Sequence, residues 1–340
     1  MFDKAITTLL PRLNGRASRR AFLRTAGGIA ALTAMPSALL ADQYPSRNVT
    51  FVVPFPPGGT PDILTRLLGR KLGEVYGRTF VIENRGGAGG SIAAEAVARA
   101  AADGYTLMMG HIGTLAVNVS IYPKLAYDPR RSFVPVSSVA KVNNLLVVNP
   151  SLPVNSVAEL IDYARKNPKK LNYSSGGNGS AAHIAMAAFA DAAKIEMTHV
   201  PYRGTAPSVT DLLAGQVQLT MTGTPAVIGH VHAGKLRALG LSGLKRLASE
   251  PNIPTIAETL PGFEANQWYG VVAPAGTPDA IVRQLNEDIR KAMSAPDVVD
   301  LLARDGAEVW VGSPEEFRAY IAQEIDRWAD LVHRANIRVD

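Results

Sequence analysis

Residues 49–68 read VTFVVPFPPGGTPDILTRLL, a stretch that joins a strand to a helix through a glycine-containing turn. The apolar run at 49–54 is typical of a short buried strand. Thr60-Pro61 is typical of a helix start, with threonine as the N-cap and proline as the first helical residue. Leucines three and four residues apart then predict a helix with one apolar face, which Gly77 ends. Such strand–turn–helix units are the building blocks of α/β folds.

The same alternation of strand, turn and helix continues through most of the chain. Capping boxes at Ser156 and Ser313 mark two further helix starts, and the segment 250–261, rich in proline and polar residues, is expected to be a connector. We therefore predict an α/β fold with mostly parallel sheets. The further predicted strands are residues 79–83, 105–110, 171–174, 198–202, 217–222, 236–242 and 268–273.

The predicted β-α units fall into two large groups and a small one after residue 265. The small group is too short to form a domain, so we expect it to pack on the first group. Two lobes joined by two crossings would allow hinge closure on a ligand in the cleft between them. The expected boundaries are residues 42–142 plus 266–340 for lobe 1 and 143–265 for lobe 2, with crossings near 140–146 and 262–268.

The N-terminal region has the pattern of an export signal. Ser18-Arg19-Arg20-Ala21-Phe22-Leu23 contains a twin-arginine pair and precedes an apolar run at 25–41. This run is shorter than the roughly twenty residues of a membrane span, and Gly27, Gly28 and Pro36 interrupt it. We expect residues 1–41 to be a twin-arginine signal peptide. The protein would then be periplasmic and have no stable membrane anchor.

Composition narrows the function classes. The chain has 340 residues and a formal charge of +6, but six basic residues and one acidic residue lie in the first 41. The remainder is nearly neutral and therefore does not indicate a nucleic-acid partner. The absence of cysteine excludes disulfides, thiolate metal sites and a cysteine nucleophile. The six histidines show no metal-binding spacing, so we expect neither a metal nor a cofactor.

Four turns share one construction, in which a strand ends, glycine or small polar residues follow, and a helix begins. In parallel α/β sheets such turns lie at the carboxyl edge, where ligands bind. A helix N-terminus offers unpaired N–H groups and a partial positive charge, and glycine allows close approach to the backbone. Two turns from each lobe therefore predict a cleft suited to a carboxylate or another anion. The turns are Pro56–Thr60, Gly86–Ser91, Ser175–Ser180 and Tyr202–Thr205.

The candidate ligand-binding residues come from these turns and the first helical residues after them. Arg203 is the only cation within the four turns and is a candidate for pairing with a ligand charge. For three candidates a purely structural role is the alternative to ligand contact. Asp62 would interact favourably with the dipole of its helix, Ser180 would be an N-cap, and His183 would be a packed core residue. Trp268 and Tyr269 are expected mainly in the core. The full set is Pro57, Gly58, Gly59, Thr60, Asp62, Gly87, Ala88, Gly89, Gly90, Ser91, Ser175, Asn178, Ser180, His183, Tyr202, Arg203 and Gly204.

An enzymatic alternative stays open. Gly177-x-Gly179-x-x-Ala182 fits a dinucleotide-binding fingerprint, and Arg203 follows the next strand, where an NADP-dependent oxidoreductase would hold a 2′-phosphate. The pattern is weak alone, and the other glycine-rich turn does not fit it. A hydrolase has less support, because the sequence lacks GxSxG and cysteine.

The chain resembles the Bug family of periplasmic solute-binding receptors, related to the receptor component of tripartite tricarboxylate transporters. The resemblance covers nearly the whole chain after residue 41. The matching motifs are 54–59 with Asp62, 83–85 with 87–90, 103–107, 127–129, 179–180 with His183, 199–204 with Pro207, 211–213 with Gly215, and 273–278.

This resemblance implies a periplasmic-binding-protein fold of the Venus-flytrap, type II-like kind, which closes on a small carboxylate held by backbone N–H groups and ordered waters. The receptor would be a non-enzymatic monomer that passes its ligand to a membrane transporter or a sensor kinase. Family members take di- and tricarboxylates, amino acids or aromatic acids, so the ligand stays open. The chain departs from the family at Gly86, where proline is usual, and at Thr222-Gly223-Thr224, where Asp or Asn is frequent.

Overall fold

The computed structural model describes residues 44–334 and 337. The predicted signal peptide at 1–41 lies outside them. The strands are β1 (Val49–Val53), β2 (Phe80–Asn84), β3 (Thr106–His111), β4 (Phe133–Val142), β5 (Asn144–Val148), β6 (Asn172–Ser175), β7 (Thr198–Pro201), β8 (Leu219–Gly223), β9 (Arg237–Leu241), β10 (Gln267–Pro274) and β11 (Ala307–Val309).

Helices alternate with these strands, and some are a single turn. They are α1 (Thr60–Tyr76), α2 (Ser91–Ala98), α3 (Asn118–Ile121), α4 (Val157–Lys166), α5 (Ala181–Ala193), α6 (Thr205–Leu213), α7 (Ile228–His232), α8 (Asp279–Met293), α9 (Pro296–Arg304) and α10 (Pro314–Arg334). A 3₁₀ turn at Ala88–Gly90 precedes α2, and a π-helical turn at Gly113–Val117 precedes α3. Among the described residues, no helix combines the length and apolar character that crossing a bilayer requires.

The strands form two sheets, and each sheet is the centre of one lobe. Lobe 1 is built on the sheet β11-β4-β10-β3-β1-β2, and lobe 2 on the sheet β7-β6-β8-β5-β9. The predicted two-lobed α/β fold is confirmed. Both sheets also share one strand order, which is β2-β1-β3-β10-β4 in lobe 1 and β7-β6-β8-β5-β9 in lobe 2. In each lobe, the strand that enters from the other lobe lies between the third and the fourth of the lobe's own strands.

The expectation of mostly parallel sheets is wrong. β5 runs antiparallel to β8 and β9, and β10 runs antiparallel to β3 and β4. The reason is topological, because β5 and β10 are the strands with which the chain enters a new lobe from the cleft. They run away from the cleft, whereas the strands beside them run towards it.

Several local predictions also need correction. The N-caps of α1 and α2 are Gly59 and Gly90 rather than Thr60 and Ser91, whereas Ser180 caps α5 as predicted and accepts a hydrogen bond from the His183 amide at 3.4 Å. Strand β4 and helix α9 were not predicted. In β4, Pro135 and two serines interrupt the apolar pattern by which a strand is recognised.

The core of lobe 1 includes the C-terminal helix, and that helix also contacts lobe 2. The indole N–H groups of Trp268 and Trp328 both donate to Glu324 Oε2, each at 2.8 Å. Ile184 of α5 belongs to the same apolar cluster as Leu331 and Val332 of α10. α10 therefore packs in the core of lobe 1 and also contacts α5 of lobe 2.

Candidate functional site

The glycine-rich turns of the two lobes face each other at close range. The hydroxyl of Tyr122, in lobe 1, donates to the backbone carbonyl of Asn178, in lobe 2, at 3.2 Å. A Cβ atom added to Gly89 would lie 2.3 Å from that carbonyl oxygen, and one added to Gly223 would lie 2.5 Å from Thr60 Oγ1. The lobes are thus in a closed arrangement that only glycine permits at these points.

An inner cavity lies between the lobes where three helices begin. Its volume of about 30 Å³ accommodates roughly two water-sized groups, about the size of a carboxylate. The N-termini of α1, α5 and α6 reach it through Thr60, Ala181 and Thr205. None of its lining residues is Lys, Arg, Asp or Glu; they are Phe55, Thr60, Pro61, His111, Gly176, Ser180, Ala181, Ala182, Thr205, Thr222, Gln267 and Tyr269.

An outer cavity of about 370 Å³ adjoins the inner one, with Phe55 and Gly176 in the walls of both. This volume is in the range of small-molecule sites. Arg203 lies in its wall and is exposed, so a cation is available at the outer end of the cleft. The lining residues are Phe55, Pro56, Gly87, Ala88, Gly89, Tyr122, Gly176, Gly177, Asn178, Tyr202, Arg203 and Gly204.

The helix N-termini give the inner cavity its electrostatic character. The first turn of a helix leaves N–H groups without intrahelical partners and carries about half a positive charge. Ser180 satisfies the amide of His183, while Ala181 and Ala182 line the cavity. The cavity thus favours a negative or electron-rich group, although none of its lining residues is Lys, Arg, Asp or Glu.

Asp62 lies behind the first turn and shapes it. Its carboxylate accepts hydrogen bonds from the Gly58 amide, Arg66 Nε and Asn84 Nδ2, each at 3.0 Å. Burial alone raises the pKa of Asp62, but the hydrogen bonds from Arg66, Asn84 and Gly58 outweigh it and hold the pKa below its usual value. Asp62 is therefore an anchor of the turn and lines neither cavity.

Ser175 and His183 also lie behind the cleft. Ser175 Oγ is 2.6 Å from His199 Nε2, and the rings of His183 and His199 stack at 4.0 Å. Burial lowers the pKa of His183 to about 4; burial, with His183 as a second cause, lowers that of His199 to about 3. Both rings are therefore neutral at physiological pH.

Of the other predicted residues, five line neither cavity: Pro57, Gly58, Gly59, Gly90 and Ser91.

The sequence did not predict much of the inner cavity. His111 ends β3, Thr222 comes near the end of β8, and Thr205 was proposed only as part of a helix start. Gln267 and Tyr269 come from β10. The sequence pattern of this strand predicted only that Tyr269 lies in the core. The signal for His111 and Thr222 was their place at the carboxyl end of a strand, where ligands bind in parallel sheets.

A chain of hydrogen bonds connects the inner cavity to the two crossings between the lobes. The Tyr269 hydroxyl donates to Gln267 Oε1, and Gln267 Nε2 donates to Asn144 Oδ1. Asn144 Nδ2 in turn donates to the Ala265 carbonyl at 2.6 Å, and the Asn144 amide donates to Ser242 Oγ at 2.8 Å. The cavity wall and the interlobe connections are therefore held by one network.

Two features bear on a metal ion and on a dinucleotide as occupants of the cleft. Within residues 44–334 and 337, no group of three or more potential ligands is placed to hold a metal ion. A dinucleotide would need the backbone of the 177–179 turn to be free. Lobe 1 instead approaches that turn so closely that a Cβ on Gly179 would lie 2.5 Å from Asn118 Oδ1.

Residues 64–337 match the model of the tripartite tricarboxylate transporter family receptor. A Pseudomonas sp. (strain P51) protein, described as a UPF0065 protein in the tcbD-tcbE intergenic region, is 41% identical over 306 residues, which cover 89% of this chain and 91% of the relative. Protein BugT of Bordetella pertussis (strain Tohama I) is 37% identical over 320 residues, 94% of this chain and 96% of BugT.

Solved structures agree with these sequence matches. R. palustris Rpa4515 with adipate superposes with a TM-score of 0.85 and 42% identity, over 87% of this chain and 100% of that one. The periplasmic binding protein BugD gives 0.83 and 34%, also over 87% and 100%. MatC from Rhodopseudomonas palustris with bound malate gives 0.81 and 35%, over 85% and 100%.

Proposed function

The chain belongs to the tripartite tricarboxylate transporter receptor family, and we propose that it is an exported, non-enzymatic receptor that captures a small organic carboxylate between its lobes. One observation carries the proposal: the N-termini of α1, α5 and α6 converge on an inner cavity whose lining has no formally charged side chain. Oriented N–H groups in a desolvated site bind anions well. Adipate and malate in two structural relatives, both dicarboxylates, agree with this class.

In this proposal the inner cavity holds one carboxylate group, and the rest of the ligand extends into the outer cavity. There the 3₁₀ turn at 88–90 and Arg203 would meet a second polar or charged group. The ligand-binding residues are thus the predicted ones that line a cavity, together with the inner-cavity residues of β3, β8 and β10. Asp62, Ser175 and His183 support the turns from behind.

The receptor would act in the periplasm after export by the twin-arginine route. As a monomer, it would deliver its ligand to a tripartite tricarboxylate-type transporter or a sensor kinase. Lobe closure would signal that a ligand is bound, because the ligand would bridge donors from both lobes and bring the turns together.

Thermal unfolding with a ligand panel tests this function. The panel is adipate, malate, citrate, glutamate and benzoate, with NADP and NADPH as the enzymatic alternative. A ligand present at 100 times its Kd adds about 2.7 kcal/mol to stability, so a bound carboxylate should raise the midpoint clearly. Stabilisation by NADP or NADPH alone would favour an exported oxidoreductase over a receptor. If none of the carboxylates stabilises the protein, the proposal is overturned.

A further inference from the structure

His111 is a buried polar residue that lines the inner cavity. Among the described residues, only one of its two ring nitrogens has a hydrogen-bond partner. The residue is 2% exposed, and its ring stacks on Phe55 at 4.7 Å, with the edge of Tyr269 at 6.4 Å. Its Nε2 atom is buried and has no hydrogen-bond partner among the described residues. His111 is one of the residues that line the cavity, so the unpaired nitrogen is on a ring that forms part of the cavity wall.

The other ring nitrogen defines the tautomer. Nδ1 accepts hydrogen bonds from the backbone amides of Gly113 and of Thr114, the latter at 3.2 Å. A nitrogen that accepts an N–H bond cannot carry a proton itself, so the proton of the neutral ring is on Nε2. Complete burial lowers the pKa of His111 to about 3, which keeps the ring neutral at physiological pH.

A glycine makes this arrangement possible. A Cβ on Gly113 would lie 2.2 Å from His111 Cε1 and 2.5 Å from the Gly179 carbonyl oxygen of lobe 2. The turn after β3 can therefore fold back onto the imidazole only with glycine at 113. The same position lets lobe 2 close over the ring.

We infer that His111 is a specificity-determining residue, whose Nε2–H donates a hydrogen bond to an oxygen of the ligand in the inner cavity. The inference rests on the proposed carboxylate-binding function and adds the residue that reads the buried end of the ligand. The helix N-termini and His111 all present N–H groups, so the cavity selects an acceptor. A ligand ending in an ammonium group would direct its own N–H groups at these donors and be rejected.

Two substitutions separate the two ring nitrogens. His111→Asn keeps a polar group near the position of Nδ1 and removes the one at Nε2. His111→Gln places an amide N–H near the position of Nε2 and gives up the acceptor for Gly113 and Thr114. A hydrogen bond to a charged group corresponds to roughly 10- to 100-fold in affinity.

Calorimetric titration with the five carboxylates of the panel measures the binding, and thermal unfolding measures the fold. We expect His111→Asn to weaken binding about 10- to 100-fold, with a fall in midpoint because the smaller side chain leaves part of the ring's space empty. We expect His111→Gln to stay within about threefold of wild type while its midpoint falls. Wild-type affinity in His111→Asn, or equal weakening in both variants, would overturn the inference and leave the receptor function standing.

Nitrogen-15 NMR of histidine-labelled protein reads the tautomer directly. The His111 signals are assigned by their absence from the His111→Asn spectrum. We expect protonated Nε2 and bare Nδ1 in the free protein, and a shift of the Nε2 signal at saturation with the carboxylate that binds. A proton on Nδ1, or an unmoved Nε2 signal, would overturn the inference. A wild-type protein that binds none of the five carboxylates would overturn both proposals.

Discussion

Closure of the lobes can be blocked by one methyl group, at Gly89. The residue has φ 60° and ψ 25°, and Gly77, at the end of α1, has φ 60° and ψ 26°. Alanine in this left-handed conformation costs about 1–2 kcal/mol at either site. The surroundings differ, because nothing lies within 4 Å of a Cβ on Gly77, whereas one on Gly89 would lie 2.3 Å from the Asn178 carbonyl oxygen.

The structure gives the size of the effect. A carbon and a carbonyl oxygen approach to about 3.3 Å, so Gly89→Ala must separate the two turns by about 1 Å. The Asn178 carbonyl is backbone and cannot rotate away. A separation of this size would stretch the 3.2 Å bond from Tyr122 beyond hydrogen-bonding range and withdraw the lobe 2 donors from the ligand. Losing one hydrogen bond to a charged group predicts at least a tenfold loss of affinity.

Calorimetry with adipate and malate, together with small-angle scattering with and without ligand, tests this reasoning. Gly89→Ala and Gly77→Ala should lose similar thermal stability. Only Gly89→Ala should bind at least tenfold more weakly and fail to compact fully with ligand. If both variants bind and compact alike, contact between the turns does not limit closure, and the reasoning is refuted.

Three further outcomes are expected. Tyr122→Phe removes the cross-lobe bond to Asn178 and should weaken ligand binding about three- to tenfold in calorimetry; an unchanged Kd would contradict this. Because the pKa values of buried His111, His183 and His199 lie below the usual 6.5, the unfolded chain binds more protons between pH 6.5 and 4. Stability in urea unfolding should therefore fall as pH falls, by roughly 1 kcal/mol per unit for each histidine, and His199→Phe should flatten the slope; a flat wild-type profile would count against it. Replacing Arg19 and Arg20 with lysine should retain the precursor in the cytoplasm by fractionation; normal periplasmic yield would argue against the twin-arginine signal.

Local chemistry made the turns predictable from sequence. Glycine before a helix, proline at its first positions and a serine N-cap act within a few residues, so the 175–180 turn could be placed before α5 without any tertiary information. The resemblance to Bug receptors rests on the same turns, and the family match confirms it. The two-lobed α/β fold followed from the alternation of elements.

Long-range pairing explains what the sequence could not provide. Tyr269 reaches the inner cavity because β10 enters lobe 1 antiparallel between β3 and β4, and no local pattern records the direction of a strand. His111 was overlooked because its proposed role depends on the fold of the following turn, where the amides of Gly113 and Thr114 donate to Nδ1. Asp62 and His183 were placed at the correct turns, yet a sequence does not tell which side of a turn a side chain faces.

The use of glycine at the meeting points of the lobes has a consequence for how a receptor signals. A ligand shifts an open–closed equilibrium only by the difference between its affinities for the two states. Large apolar side chains at Gly89, Gly113, Gly179 and Gly223 would bury surface on closure and favour the closed state without ligand. Backbone-to-backbone approach adds little apolar burial of its own. In the proposed function, a ligand that bridges donors from both lobes in the inner cavity would then be the main source of closing free energy, and the closed form would report its presence.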